Sequence, residues 1–308
     1  MLARRLEAKD KPRYTVRHVL YSGVIALQRA QLATASLDAR ILLQHILGLS
    51  REALLADEER ALSDSEYKAY QLLIEQRIGR KPVSQLIGRR EFWGMAFGVT
   101  EDTLDPRPDS ETLIEAVLSK FRNRSAPLRI LDLGTGTGCL LLSLLSEYAN
   151  ATGVGADISE AALKVAQGNA KALGLETRAA FALSRWSETL RQEERFDIVI
   201  SNPPYIPTGD IAFLEPEVSA HEPHLALDGG YDGLDCYRDI MPLLPRLLAE
   251  GGLAVLEIGM GQAREVEKIV AGCRLLVAGV MQDLGGIPRC IVIQAPKRLL
   301  NQQPATSN

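Results

Sequence analysis

Residues 201 to 205, Ser-Asn-Pro-Pro-Tyr, follow the apolar run Phe-Asp-Ile-Val-Ile and end it abruptly. Proline lacks the N–H that a sheet ladder needs, so Pro203 and Pro204 stop a strand and fix the backbone that follows it. The stretch indicates either a stiff exit from a buried strand or a rigid clamp for a planar group that carries an NH2. In a clamp, the Asn202 side-chain oxygen accepts one hydrogen, the Pro203 carbonyl accepts the other, and Tyr205 lies against the planar face.

Such a clamp suits methyl transfer to an amide or aniline-like nitrogen. The lone pair of that nitrogen is delocalised into a π system, and acceptors on its two hydrogens favour pyramidalisation, which frees the lone pair. No general base is required before the transfer, because the proton leaves from a cationic product. Position and orientation would then supply most of the catalysis. We therefore take Asn202, Pro203, Pro204 and Tyr205 as the candidate catalytic and substrate-binding residues.

A glycine-rich loop at residues 132–138, Asp-Leu-Gly-Thr-Gly-Thr-Gly, follows the short apolar strand Arg-Ile-Leu-Asp-Leu. The dinucleotide fingerprint would need a further glycine at 139 or 141, and Cys139 and Leu141 stand there. The loop also lacks the Gly-Lys-Ser/Thr ending of a phosphate loop. An acid ahead of the glycines and a second acid, Asp157, at the end of the next strand resemble class I S-adenosylmethionine-dependent methyltransferases. The Asp157 carboxylate can accept both ribose hydroxyls of an adenosyl ligand.

The elements around these motifs fall into two patterns. The first eighty or so residues carry apolar side chains at helical spacing, and Ser63 and Glu66 match a capping box. Later strands and helices alternate, which predicts an α/β domain with a mostly parallel sheet and ligands at the carboxyl ends of its strands. We expect four segments: a helical domain over 1–88, a β-hairpin connector over 89–108, an α/β domain over 109–295, and a flexible tail over 296–308.

Composition narrows the class of protein. The 308 residues are 46% hydrophobic and 24% charged, as in ordinary globular domains, and no apolar run approaches a membrane span. The four cysteines lack CxxC spacing, which predicts free thiols and a cytoplasmic location. Residues 1–100 hold 16 Lys and Arg against 11 Asp and Glu, and the remainder hold 19 against 28. The basic front part would suit an acidic protein or RNA as a partner, or is simply a solvated helical surface.

Several motifs together make the chain similar to the protein-(glutamine-N5) methyltransferases, and within them to the bacterial peptide chain release factor enzymes. The motifs are LDARILLQHILG, REFWGMAFGV, PRPDSETLIE, ILDLGTGTGCLLLSL, SNPPYIP, EPHLALDGGYDGL and EIGMGQ. The resemblance implies a Rossmann-like seven-stranded domain with a small helical domain that docks the substrate protein. It implies S-adenosyl-L-methionine as cofactor and the glutamine of the Gly-Gly-Gln motif of class 1 release factors as acceptor.

The resemblance also assigns site residues. It implies that the clamp residues hold the glutamine, and that the cofactor contacts are Gly134, Thr135, Gly136, Thr137, Gly138, Asp157, Trp186 and Asn202. One departure stands out: Arg185 occupies the place where the family generally has an acid that receives the adenine amino group.

Other acceptors remain open from the motif alone. A sister family that methylates a glutamine of a large-subunit ribosomal protein shares the Asn-Pro-Pro-Tyr stretch, as do enzymes acting on adenine in nucleic acid. The excess of acids after residue 100 and an aromatic content of 5% argue against sequence-specific nucleic-acid binding. His221 and His224 flank Glu222 but have no third ligand nearby in the sequence, so no metal site is predicted.

Overall fold

The computed structural model describes residues 14–294, so the tail predicted over 296–308 lies outside the described residues. The chain divides into two compact units, residues 1–88 and 89–308. Within the described part, no helix combines the length and the apolar character that crossing a bilayer requires.

The first unit is helical, as the apolar spacing predicts. Three of its helices begin after a residue whose side chain accepts a backbone N–H: Thr15 caps α1, Ser50 caps α3 and Ser63 caps α4. The capping box of Ser63 and Glu66 is confirmed. The helices of its described residues, 14–88, are α1 (Val16–Arg29), α2 (Ala35–Leu47), α3 (Arg51–Ala56), α4 (Asp64–Ile78) and α5 (Val83–Ile87).

The core of the described part of this unit is mainly apolar and contains a buried ion pair. Leu27, Leu42 and Tyr70 are fully enclosed between α1, α2 and α4. Arg77 Nε donates to Asp38 Oδ2 over 2.8 Å, and both side chains are buried. Removing Arg77 would leave the buried Asp38 carboxylate without this charge partner, so the pair ties α2 to α4.

The second unit opens with a confirmed β-hairpin, β1 (Arg89–Phe92) and β2 (Met95–Gly98). Trp93 and Gly94 form its two-residue turn with φ of 51° and 68°. Two positive φ values match the turn that follows the right-handed twist of an antiparallel pair.

The rest of this unit is a seven-stranded sheet with the order β5-β4-β3-β6-β7-β9-β8. All strands run parallel except β9, which is antiparallel to both of its neighbours. The strands are β3 (Arg129–Leu133), β4 (Thr152–Asp157), β5 (Ala179–Leu183), β6 (Phe196–Ser201), β7 (Leu248–Glu257), β8 (Leu276–Gln282) and β9 (Pro288–Gln294). The helices are α6 (Glu111–Lys120), α7 (Cys139–Glu147), α8 (Glu160–Ala172), α9 (Pro216–Ser219), α10 (Asp235–Ile240), α11 (Leu244–Leu247) and α12 (Ala263–Gly272).

Apolar clusters cover both faces of the sheet. The closing hairpin of β8 and β9 is confirmed. The sequence also predicts a helical segment over 233–252, whereas helical structure ends at Leu247 and β7 begins at Leu248. Leu248 pairs with Phe196 of β6, so sheet pairing takes the end of the segment away from the helix.

Candidate active site

A cavity of about 510 Å³ opens at the carboxyl ends of β3, β4, β5 and β6, which are neighbours in the sheet. Ligands of open α/β sheets bind at this edge, and the volume is in the range of small-molecule sites. Its walls come from the loops after these four strands, from the segment 102–110, and from the segment 223–239. Seven of the eight predicted cofactor residues line the cavity: Gly134, Thr135, Gly136, Thr137, Asp157, Trp186 and Asn202.

The backbone of the glycine loop adopts positive φ angles that residues with a side chain rarely adopt. Gly134 and Gly136 have φ of 72° and 54°, in the left-handed region. The N–H groups of Gly134 and Thr135 donate to the Ala156 carbonyl over 2.8 and 3.0 Å, which fixes the loop against β4. A Cβ on Gly136 would meet no heavy atom within 4 Å, so the space beside this residue is open to a ligand.

Gly138 has a different place from the other two glycines. It precedes α7 with φ of 79°, and a Cβ there would stand 3.3 Å from the Cβ of Ala166 on α8. Gly138 does not line the cavity. A side chain is disfavoured there because α7 and α8 pack closely at this point. Asn169 of α8 braces the same loop, because its Nδ2 donates to the Thr137 carbonyl over 2.9 Å and its Oδ1 accepts from Gly98 N–H over 2.7 Å.

Two carboxyl groups stand at the loop in different environments. Asp157 ends β4 and lines the cavity; its Oδ2 accepts from Gly136 N–H and its Oδ1 from Ser159 N–H, each over 2.9 Å. Asp132 is fully buried, and its Oδ2 accepts from the Thr135 hydroxyl over 2.7 Å. Its Oδ1 has no hydrogen-bond partner in the described chain. Burial, helped by the charge of Asp157, raises the pKa of Asp132 to about 7.

Trp186 and Arg185 meet the same acid at the cavity wall. Asp239 Oδ2 accepts from an Arg185 guanidinium nitrogen over 2.8 Å and from Trp186 Nε1 over 3.3 Å. Trp186 has a backbone φ of 52°, which is uncommon for a large side chain. Its hydrogen bond to Asp239 helps to hold the indole in this strained backbone conformation. All three residues line the cavity, so an acid is present at this wall although Arg185 is not one.

Asn202 reaches the cavity from the end of β6 and lies in a chain of hydrogen bonds. Its Nδ2 donates to Ser110 Oγ over 3.2 Å, and Ser110 in turn donates to Glu257 Oε2 over 2.5 Å. Among residues 14–294, no group donates a hydrogen bond to Asn202 Oδ1. The side chain therefore keeps an unused acceptor beside the glycine loop.

The other clamp residues are divided by the structure. Pro204 lines the cavity with Asn202, but Pro203 and Tyr205 do not. Tyr205 packs against the apolar cluster of the sheet, its hydroxyl donates to Glu257 Oε1 over 3.1 Å, and its carbonyl accepts from Gln262 Nε2 over 2.9 Å. Burial, followed by the nearby charge of Glu257, raises the pKa of the Tyr205 hydroxyl. The contact of Tyr205 with a substrate stays a prediction.

An ion pair joins two loops at the cavity. Both carboxylate oxygens of Glu222 accept from one guanidinium nitrogen of Arg107, each over 2.7 Å. The Glu222 side chain is only 2% exposed, whereas that of Arg107 is 36% exposed and lines the cavity. Burial raises the pKa of Glu222, and the Arg107 charge opposes that rise. The Glu222 carboxylate is therefore paired with Arg107. The neighbouring His224 has its Nδ1 3.8 Å from Asp228 Oδ2.

This arrangement fits an adenosyl cofactor on its own geometry. The open space beside Gly136, the cavity-lining carboxylate of Asp157 and the indole of Trp186 supply close backbone approach, hydroxyl acceptors and an aromatic wall. Sequence reasoning missed Ser110, Glu257, Asp239 and the Arg107–Glu222 pair as site components. The one local signal was an acid, Glu257, directly after the apolar run Leu-Ala-Val-Leu at 253–256.

Family models match both units of the chain. Residues 18–88 match the PrmC N-terminal domain, and residues 125–276 match a methyltransferase domain.

Curated relatives cover most of the chain. The release factor glutamine methyltransferase of Rhodospirillum rubrum is 45% identical over 274 residues, 89% of this chain and 83% of that protein. The protein of the same name from Bradyrhizobium diazoefficiens is 46% identical over 268 residues, 86% of this chain and 90% of that protein.

One similar solved structure is the release factor-specific protein-(glutamine-N5) methyltransferase of Alicyclobacillus acidocaldarius. It is 28% identical, has a TM-score of 0.39, and the match covers 62% of this chain and 94% of that chain. The strand order of the sheet, rather than this superposition, identifies the fold.

Proposed function

Because the chain belongs to the release factor glutamine methyltransferase family, we propose that it methylates the side-chain nitrogen of a glutamine in a protein. The substrate is the glutamine of the Gly-Gly-Gln motif of class 1 peptide chain release factors, and the methyl donor is S-adenosyl-L-methionine. The observation that carries the proposal is that Asn202, with its unused Oδ1, and the glycine loop share one cavity.

The cofactor contacts follow from the cavity walls. S-adenosylmethionine, when bound, supplies an electrophilic methyl group on a sulfonium, whose bonding electrons stay with sulfur. Asp157 would accept its ribose hydroxyls, since its two oxygens keep lone pairs beyond those used by Gly136 and Ser159. Gly134 and Gly136 would let the backbone come close to the ligand, and Trp186 would flank the adenine ring.

The acceptor amide would be held by two oxygens. Asn202 Oδ1 takes one hydrogen of the glutamine NH2, and the Pro203 carbonyl, which accepts no hydrogen bond from the described residues, takes the other. Both bonds strengthen as the nitrogen becomes cationic, so they stabilise the transition state more than the bound substrate. After transfer, the extra proton leaves to solvent.

Selection of the substrate protein needs more surface than one side chain. A glutamine buries far less area than the roughly 800 Å² per partner of a stable interface. The helical unit, in the more basic part of the chain, is the candidate for this docking role. Its contribution would be seen mainly in the KM for the whole release factor.

The test is methylation in vitro by the purified chain. Tryptic peptides are analysed by mass spectrometry after incubation with S-adenosylmethionine and a release factor, with ribosomal proteins and DNA in parallel reactions. The expected result is a mass gain of one methylene on the Gly-Gly-Gln glutamine, absent with Asn202→Ala. A gain only on a ribosomal protein would move the chain to the sister activity, and a gain only on adenine would refute a protein substrate.

A further inference from the structure

The hydrogen bonds behind Asn202 depend on a buried carboxyl group. Glu257 ends β7 with 1% of its surface exposed. Its Oε2 accepts from the Ser110 hydroxyl and its Oε1 from the Tyr205 hydroxyl. The three residues come from separate stretches of the chain, so nothing in the local sequence relates them.

The donors and acceptors available to Asn202, Ser110 and Glu257 determine which group donates in each of these hydrogen bonds. Burial raises the pKa of Glu257, whereas the hydrogen bonds from Ser110 and Tyr205 and the charge of Arg289 favour its ionised form. In that form Glu257 can only accept, so the one hydroxyl hydrogen of Ser110 goes to Glu257. The lone pairs of Ser110 Oγ then face Asn202, and only the NH2 end of the amide can approach them, at 3.2 Å. If the amide turned over, its Oδ1 would face Ser110 Oγ as a second acceptor, with no hydrogen between them.

We propose that Ser110 and Glu257 are positioning residues that set the orientation of the Asn202 amide and keep Oδ1 available to the acceptor NH2. With the amide reversed, Asn202 would present its own NH2 to the NH2 of the glutamine, donor against donor. The inference rests on the proposed function, since it assigns these residues a part in the same methyl transfer.

Ser110 is the residue to vary, because it touches both partners. Ser110→Ala removes the acceptor for Asn202 Nδ2 and lets the amide turn, whereas Ser110→Thr keeps a hydroxyl at the same place on the cavity wall. The matched control is Ser143→Ala on α7, since Ser143 is equally buried and its Oγ has no partner in the described chain. Circular dichroism checks that each variant is folded.

The kinetic result expected for Ser110→Ala is a kcat lower by roughly 3- to 10-fold, the effect on an orientation equilibrium of losing one neutral hydrogen bond. The dissociation constant for S-adenosylmethionine, measured by calorimetry, should change less than kcat, because Ser110 holds Asn202 alone of the predicted cofactor contacts, while Asp157 and the glycine loop keep their hydrogen bonds. Ser110→Thr should restore most of kcat, and Ser143→Ala should match the wild type. Unchanged kcat in Ser110→Ala, or Thr as slow as Ala, would overturn the proposal.

A second readout needs no methyl acceptor. The Nδ2 hydrogens of Asn202, identified in ¹⁵N–¹H spectra by their loss in Asn202→Ala, should include one that exchanges slowly with solvent in the wild type. Ser110→Ala should abolish that protection and Ser110→Thr should retain it; equal exchange in all three proteins would refute the orientation. If the wild type methylates no release factor, the proposed function fails, and this spectrum still decides on the hydrogen-bond chain.

Discussion

Replacement of Asp157 by alanine tests the cofactor half of the site most directly. The variant loses the acceptor for two ribose hydroxyls, and charge-assisted hydrogen bonds contribute about 1.5–3 kcal/mol. That range corresponds to a roughly 10- to 140-fold weaker binding of S-adenosylmethionine. The structure moves the expectation to the upper end, because Asp157 also accepts the N–H groups of Gly136 and Ser159. Without it the loop beside the ligand loses a tether as well.

The assay is isothermal calorimetry of the wild type and variant with S-adenosylmethionine. Glu160→Ala is the matched control, since it removes a carboxylate three residues further on, in an ion pair with Lys164 that is 70% exposed. We expect this control to bind as the wild type does, because exposed pairs of this kind contribute little. An Asp157→Ala protein that is folded and binds within twofold of the wild type would remove the ribose assignment and with it the proposed orientation of the cofactor.

Three further outcomes are expected. Asn202→Ala should lower kcat by at least about 100-fold, as for other lost transition-state hydrogen bonds, and near-normal turnover in the folded variant would exclude the clamp. Arg107→Ala should lower the free energy of unfolding by about 3 kcal/mol in urea titrations, because it strands the buried Glu222 carboxylate, and a loss below about 0.5 kcal/mol would contradict that reasoning. Burial raises the pKa of Asp132 to about 7 in the folded chain, whereas the ordinary value in an unfolded chain is 3.8. Between those pH values the folded chain holds a proton that the unfolded chain has released, so stability falls as pH rises. Asp132→Asn should flatten that part of the pH dependence of the urea midpoint, whereas parallel curves for the two proteins would show that the pKa is not raised.

The sequence predicts best those features that are set by neighbouring residues. The capping box of Ser63 and Glu66, the strand that ends at Leu133, and Asp157 at the end of β4 all depend on short-range patterns. The alternation of strands and helices also predicts that a ligand site lies at the carboxyl ends of the strands, where the cavity is found. In these places local propensity and the final fold agree.

The supporting contacts could not be predicted from spacing. Ser110 and Glu257 are 147 residues apart, and Arg107 and Glu222 are 115 apart, so only the folded sheet brings them together. The turn from helix to strand at Leu248 was missed for a related reason. Leu248 is extended because it pairs with Phe196 of β6. The spacing of apolar residues along one segment does not show which distant strand will pair with it.

The position of β9 has a consequence for how this unit is made during translation. β9 emerges last of the seven strands, yet it lies between β7 and β8, and its residues Cys290 to Ile293 are buried. Until it is synthesised, β7 has an open apolar edge and β8 has no strand to pair with, which is the kind of edge that promotes misassembly. The nascent unit therefore cannot complete its sheet strand by strand. We expect chains halted before Pro288 to aggregate or be degraded.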